Sequence, residues 1–207
     1  MTWDVSLFRA VNGLAGQSFI LDWLMVELAK PANLLFPILL VSGYWIWRNW
    51  RQWLIASIAL GCLISITDAV GTQLKELIQR PRPCLRLQGI HELLGCGVAF
   101  SFPSNHAVNT AAAAAFFQVL YPKSGWVGWP LTVAIGLSRV YVGVHYVTDV
   151  AGGWLLGAMI GGILAWLLRR WSRFQSITQG ARNWPRVMRS RLDGRPCVTI
   201  SNDQDSQ

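Results

Sequence analysis

Two of the three histidines in this chain fall in short polar clusters at the ends of apolar runs, with spacings that suit phosphorus chemistry. Ser138, Arg139, His145 and Asp149 fall in one short stretch between apolar segments. His145 and Asp149 are four residues apart, which on a helix places them on one face, with the carboxylate able to reach the imidazole. A carboxylate that accepts from Nδ1–H fixes the tautomer and leaves Nε2 as a base or nucleophile. Arg139 is a permanent planar cation suited to a phosphate or a carboxylate. The plainer alternative is a re-entrant loop whose Arg139, His145 and Asp149 merely satisfy one another.

Two further clusters weigh against that alternative. Pro103, Ser104, Asn105 and His106 stand immediately before an apolar helical run. A serine there is a natural N-cap, and the free N–H groups and positive end of the helix dipole make an anion site that His106 can also reach. By itself this cluster reads first as simple capping with an interfacial histidine. Lys75 and Arg82, the latter followed by Pro83, supply two more cations suited to a phosphate, or by themselves to lipid headgroups. Together the three clusters can hold a phosphoryl group. One histidine attacks phosphorus, and the other protonates the departing oxygen. The implied reaction is phosphoryl transfer to water through a covalent histidine intermediate. No carboxylate cluster points to a metal pair, so no metal and no cofactor are expected, and the cations carry the electrostatic load.

The elements that must position these residues lie in a membrane. Of 207 residues 53% are apolar and 14% charged, with mean hydropathy +0.35, whereas a soluble domain carries about 25% charged residues. The reading is all-α: a polytopic membrane helix bundle of about six transmembrane helices. The spans are expected near 19–29, 34–47, 53–77, 104–120, 126–142 and 149–168. Residues 3–14 read as a short amphipathic helix lying on the membrane surface. Trp45, Trp47, Trp50 and Trp53 around Arg48 and Arg51 read as an interfacial turn between two spans. The later part of the third span carries Asp68, Gln73 and Lys75 and should face protein or water. Gly153, Gly157 and Gly161 recur every four residues, a pattern for close helix approach. His91 reads as a surface residue, and no cleavable signal precedes the first helix.

Charge sets the expected orientation. Net charge is +8, and residues 169–195 hold eight arginines against one acidic residue, Asp193. Directly after an apolar segment, that is how a cytoplasmic juxtamembrane tail on anionic lipid looks. No nucleic-acid-binding motif accompanies the charge, and no nucleic-acid partner is expected. Domain boundaries follow: 1–168 is the membrane domain and 169–207 a basic, partly disordered tail. The three clusters then face the exterior or periplasm of the cell (inner) membrane. Cations kept on that side run against the usual bias and ask for an anionic substrate. Cys84 and Cys96 flank one polar loop, either as a disulfide or as two thiols. Cys62 reads as a small core residue, and Cys197 lies in the tail.

Lys75, Arg82 and Pro83, then Pro103, Ser104 and His106, then Ser138, Arg139, His145 and Asp149 match in order the tripartite signature of the type 2 phosphatidic acid phosphatase (PAP2) superfamily. The resemblance covers about residues 5–168. It implies a helical PAP2/haloperoxidase-like core and a metal-independent phosphatase acting on a phosphorylated lipid. By that resemblance His145 is the nucleophile, Asp149 orients it and His106 is the general acid. Lys75, Arg82, Ser104 and Arg139 bind phosphate, helped by the N–H groups of Asn105 and His106. Asn105 departs from the pattern, which usually has Gly there; Asn either tightens the pocket or supplies its own amide. The stretches Leu7 to Ala15 and Arg80 to Cys84 are similar to bacterial undecaprenyl-diphosphate phosphatases, which makes undecaprenyl diphosphate the first expected substrate. Phosphatidic acid, phosphatidylglycerol phosphate and lipid A phosphates stand as alternatives. So do a lipid phosphotransferase and a non-catalytic lipid binder or transporter. A vanadium-dependent haloperoxidase shares the anion site, but such proteins are generally soluble and longer, so the apolar spans count against it.

Overall fold

Helices begin and end where the sequence supplies breakers. The structure, a computed structural model, describes residues 2–30, 35–97 and 100–192, with side chains as far as residue 171 and few of them between 35 and 53. Helix α1 (Thr2–Asn12) stops at Gly13, and α2 (Phe19–Ala29) stops just before Pro31. Helix α3 (Leu35–Ile78) ends ahead of Pro81 and Pro83, the second of which opens the single turn α4 (Pro83–Arg86). Helix α5 (Asn105–Leu120) gives way to a 3₁₀ turn (Pro122–Ser124), followed by α6 (Gly125–Tyr141) and α7 (Val147–Leu192). Among the described residues there is no strand. The chain divides into two units, Met1–Trp166 and Leu167–Gln207, and every residue of the candidate site belongs to the first.

Helix α5 is the hub. It packs on α3 and α6, while α1 and α2 pack on α6. Its alanines at 111, 112, 114 and 115 are buried, so neighbouring backbones come close. Helix α7 closes on it through the expected glycine stripe. A Cβ at Gly157 would stand 2.0 Å from the Val108 carbonyl oxygen, and one at Gly161 would stand 2.1 Å from that of Ala112. A buried cluster of Phe8, Ala107, Val140, Tyr146 and Val150 ties α1, α5, α6 and α7 together under the bend that holds His145. Large apolar side chains elsewhere point outward, among them Phe19 at 84% and Trp126 at 86% exposure, as expected where lipid is the solvent. By length and composition, Leu54–Arg86 and Val147–Trp171 can cross a membrane.

Four expectations change. The turn expected around Arg48 and Arg51 is absent from the backbone, which runs as one helix from Leu35 to Ile78; the side chains of both arginines lie outside the described residues. Residues 45–53 contain no Gly or Pro, so nothing in them breaks a helix. Helix α1 does not simply lie on a surface. Its Asp4, Phe8 and Asn12 are all buried against the protein, one helical turn apart. Cys62 is exposed rather than in the core. His145 is not on a helix with Asp149; it sits on a bend two residues before α7 begins. Cys84 and Cys96, left open by the sequence, are bonded. Cys197 lies outside the described residues.

Candidate active site

The bend carrying His145 is set by the chain around it. Helix α6 ends at Tyr141, and Gly143 follows with φ +89°. A Cβ at Gly143 would stand 2.6 Å from the His91 carbonyl oxygen, so both conformation and space require glycine. His145 is 2% exposed. Its Nδ1 lies 2.8 Å from the Ser101 carbonyl oxygen and 3.7 Å from Asp149 Oδ2. Both neighbours accept, so Nδ1 carries the proton and Nε2 has the lone pair. The hydrogen bond therefore goes to Ser101, and Asp149 acts on the ring at ion-pair distance. Burial is the largest influence on His145 and brings its pKa down to about 4. The nearby Asp149 carboxylate opposes that shift, and the charges of Arg139 and Arg82 add to it.

Asp149 is fully buried on the first turn of α7. Its Oδ2 accepts the Tyr146 backbone N–H at 2.8 Å, an N-terminal capping contact. Its Oδ1 pairs with Arg80 Nη1 at 2.5 Å. The second amine of Arg80 pairs with Asp4 Oδ2 at 2.5 Å. Burial disfavours ionised Asp4, but hydrogen bonds from Thr148 and Arg80 outweigh it and hold the carboxyl below its usual range. Neither Arg80 nor Asp4 is among the residues singled out from sequence as chemical. The nearest signal for Arg80 is its place beside Arg82 in the Arg80 to Cys84 stretch; for Asp4 it is the spacing with Phe8 and Asn12.

Ser104 occupies the N-cap of α5, but its hydroxyl makes no capping bond. Its backbone N–H instead donates to the Asp149 carbonyl at 3.1 Å, which ties the start of α5 to the start of α7. Ser104 Oγ, Asn105 Oδ1 and His106 Nε2 are buried without a hydrogen-bond partner, as is Arg139 Nε. Asn105 sends its amide N–H₂ to Asp68 Oδ1 at 3.3 Å, so that group serves α3 rather than an anion. Asn109 reaches the same oxygen at 2.9 Å, and Thr67 donates to Asn109 Oδ1 at 2.7 Å. Asp68 therefore faces α5, as its place late in the third expected span required. A Cβ at Gly71 would stand 3.1 Å from Asn105 Oδ1, so Gly71 leaves room for the larger residue at 105.

The cations converge on this point. Lys75, 8% exposed, donates to the Pro103 carbonyl at 2.8 Å and the Phe100 carbonyl at 3.3 Å, which fixes the strand of chain leading into α5. Arg82 is the N-cap of α4, with its guanidinium packed on Gly97. Arg139 Nη1 donates to the Ala29 carbonyl at the end of α2, 2.7 Å away. Lys75, Arg82, Arg139 and His145 all act electrostatically on His106. The eight residues proposed from sequence thus meet at the facing N-termini of α5 and α7. Ser138 turns its hydroxyl back to the Ile135 carbonyl and serves the helix. Among the described residues no group of acidic, histidine or cysteine side chains is arranged to hold a metal ion.

Three cations and two histidines gathered at a helix N-terminus in an all-helical membrane protein offer the positive charge and N–H donors that suit a phosphoryl group. The chain belongs to the PAP2 superfamily, whose profile matches residues 50–173, and it is an enzyme of the phosphatase class. It is similar to the bacitracin transport permease protein BcrC of Bacillus licheniformis, at 27% identity over 79% of this chain and 79% of that one. It is also similar to the undecaprenyl-diphosphatase BcrC of Bacillus subtilis, at 30% identity over 76% of this chain and 80% of that one. Among solved structures, the transmembrane PAP2-type phosphatidylglycerolphosphate phosphatase of Bacillus subtilis superposes with a TM-score of 0.64. That match has 24% identity and covers 82% of this chain and 86% of the other, and it establishes the shared fold.

Proposed function

We propose that the protein hydrolyses a lipid diphosphate, with undecaprenyl diphosphate the first candidate, at the external face of the cell membrane through a phosphohistidine. The observation that carries the reading is the set of buried, unpartnered polar atoms, Ser104 Oγ, His106 Nε2 and Arg139 Nε, among the cations that act on His106. A terminal phosphoryl group supplies the charge and the acceptor oxygens these donors lack. Lys75, Arg82, Arg139, Ser104 and the first N–H groups of α5 at Asn105 and His106 hold its non-bridging oxygens. His145 Nε2 attacks phosphorus, forming the N–P bond as the bond to the leaving oxygen breaks. His106 gives that oxygen a proton. Water then gives a proton to His106 and attacks phosphorus, the N–P bond breaks with its electron pair returning to His145 Nε2, and inorganic phosphate leaves. The chemistry needs no metal, because the fixed cations already face the developing charge.

The Cys84–Cys96 disulfide supports an oxidising, external compartment for the loop that carries Arg82. The eight arginines after residue 168 support a cytoplasmic tail at 169–207, distinct from the membrane domain 1–168. Similarity to an undecaprenyl-diphosphatase over most of both chains favours that lipid. The test is phosphate release by the purified protein in EDTA from undecaprenyl diphosphate, phosphatidic acid and phosphatidylglycerol phosphate in parallel, with His145→Ala as control. Release chiefly from the diphosphate, abolished in the control, is the expected result. Equal release from all three lipids overturns the diphosphate assignment, and an active His145→Ala overturns the nucleophile.

A further inference from the structure

We propose that Arg80, anchored by Asp4 of the N-terminal helix, is a positioning residue for His145; this rests on the phosphohistidine reading above. Arg80 is not one of the substrate cations. Both its terminal amines are engaged by carboxylates, Nη1 by Asp149 and Nη2 by Asp4, and Nη1 also lies 2.7 Å from Thr148 Oγ1. Its side chain is 14% exposed, and both carboxylates are at or below 2%. A buried guanidinium held in that fork has one orientation available.

The arrangement sets the two residues that flank His145 in structure. Arg80 holds Asp149, whose other oxygen faces His145 Nδ1. The Arg80 guanidinium carbon also lies 4.0 Å from the ring centroid of Tyr146, the residue after His145. Tyr146 in turn packs on Phe8 of α1, with centroids 5.7 Å apart. Asp4 adds hydrogen bonds from the Thr148 N–H at 3.2 Å and its hydroxyl at 2.6 Å. Two turns further along the same face, Asn12 donates to the carbonyls of His91 and Tyr141 at 2.7 and 2.8 Å. Helix α1 therefore clamps the loop bearing Arg80 and His91 to the bend bearing His145. This gives a physical role to the Leu7 to Ala15 stretch, which the phosphate chemistry leaves unused.

The charge count gives the network a second effect. Within the network, two buried carboxylates against one guanidinium leave one net negative charge, which opposes the positive field of Arg139 and Arg82 at His145. When Nε2 bonds to phosphorus with Nδ1 still protonated, the imidazole ring becomes cationic, and that residual charge favours it. Asp4→Asn removes the surplus while leaving Arg80 on Asp149. Arg80→Gln removes the link itself.

The test uses the full chain in detergent, with Arg80→Lys, Arg80→Gln and Asp4→Asn, and two readouts. Steady-state phosphate release from undecaprenyl diphosphate separates kcat from KM. Nitrogen-15 NMR of labelled histidine reads the tautomer of each ring, and only three histidines need assignment. For Arg80→Gln we expect kcat to fall about 10- to 100-fold with KM within about 2-fold, the signature of a displaced nucleophile rather than lost substrate contact. His145 should pass from one Nδ1-protonated tautomer to a mixture. Arg80→Lys should recover part of kcat. So should added guanidinium ion, because a cavity of about 200 Å³ borders Arg80, Val5, Pro81 and Tyr146. Asp4→Asn should lower kcat about 3- to 10-fold. A kcat for Arg80→Gln equal to wild type, or a rise in KM alone, overturns the proposal. If Arg80→Gln loses the His91 and His106 signals as well, it has unfolded, and Asp4→Asn decides. Wild-type kcat and an unchanged tautomer in that variant overturn the proposal. If the wild type releases no phosphate from any lipid, the phosphatase reading fails by itself. The tautomer of His145 in Arg80→Gln then decides the positioning role, a mixture supporting it and an unchanged ring refuting it.

Discussion

Gly157→Ala should damage both stability and turnover, although residue 157 touches no part of the phosphate site. The new Cβ would lie 2.0 Å from the Val108 carbonyl oxygen and 2.9 Å from the Ala112 backbone nitrogen. Ordinary contact begins at 3.4 Å, so α5 and α7 must part locally by about 1.4 Å. Both obstructing atoms are helix backbone, which cannot swing away as a side chain would. Overpacking of this kind costs about 1–3 kcal/mol, a fall in Tm of roughly 3–10 °C for a chain of this size. The same displacement reaches the site, because His106 stands at the start of α5 and Asp149 at the start of α7. The Ser104 N–H to Asp149 carbonyl bond that joins the two helix starts is 3.1 Å long and cannot absorb an ångström. A misplacement of about 1 Å between reacting groups lowers kcat by about 100-fold. The assay pairs thermal unfolding in detergent with phosphate release, and Gly162→Ala serves as the control. A Cβ at Gly162 meets nothing within 4 Å, so that variant should keep wild-type activity and gain up to about 1 kcal/mol from the lost flexibility of glycine. Wild-type Tm and kcat in Gly157→Ala would refute the reasoning, since the helices would then have room the structure does not show.

Three further outcomes follow from the same geometry. Burial brings His145 down to about 4, below its unfolded value near 6.5, so the unfolded chain binds the extra proton between these values. The neutral, nucleophilic ring persists to about pH 5; the acidic limb of kcat/KM should centre near pH 4, and stability should decline as pH falls from 6.5 to 4. A limb centred at 6.5 would show that the ring is solvated. Arg139→Ala removes a cation beside the phosphoryl site and should lower kcat by about 10²–10³-fold; a change confined to lipid affinity would remove Arg139 from the transition state. Reducing Cys84–Cys96, or replacing both with Ser, frees the loop beside Arg82 and removes a cross-link worth about 3 kcal/mol. Tm and turnover should drop together with dithiothreitol in the wild type, and dithiothreitol should have no effect on the double Ser variant.

The family and the phosphatase class of this protein were legible in its sequence because the signature is written in local motifs. Lys75 with Arg82, Ser104 with His106, and Arg139 with His145 and Asp149 each carry their meaning within a few residues. Apolar run length gave the helical class, and glycine spacing marked a face of α7 for close helix approach, since helix period is a local property; that α5 is the partner came from packing. The missing turn between residues 45 and 53 shows the limit of composition, because tryptophan and arginine mark an interface without breaking a helix.

What only the tertiary structure decided is how those motifs are held. Asp4 and Arg80 are 76 residues apart, and Asp4 and Thr148 are 144 apart. No periodicity or motif links such positions; their pairing exists only after α1 packs beneath the bend at His145. The acceptor of His145 Nδ1 is likewise a backbone carbonyl, at Ser101, and backbone groups have no signature in sequence. The spacing of His145 and Asp149 pointed to a shared helical face, yet the histidine lies on a bend, because Gly143 ends α6 and the Asp149 carboxylate caps the start of α7. Sequence therefore nominated the groups to which the chemistry is assigned here. Packing determined their distances, their tautomer and the charge they feel, because each of these is set by atoms far away along the chain.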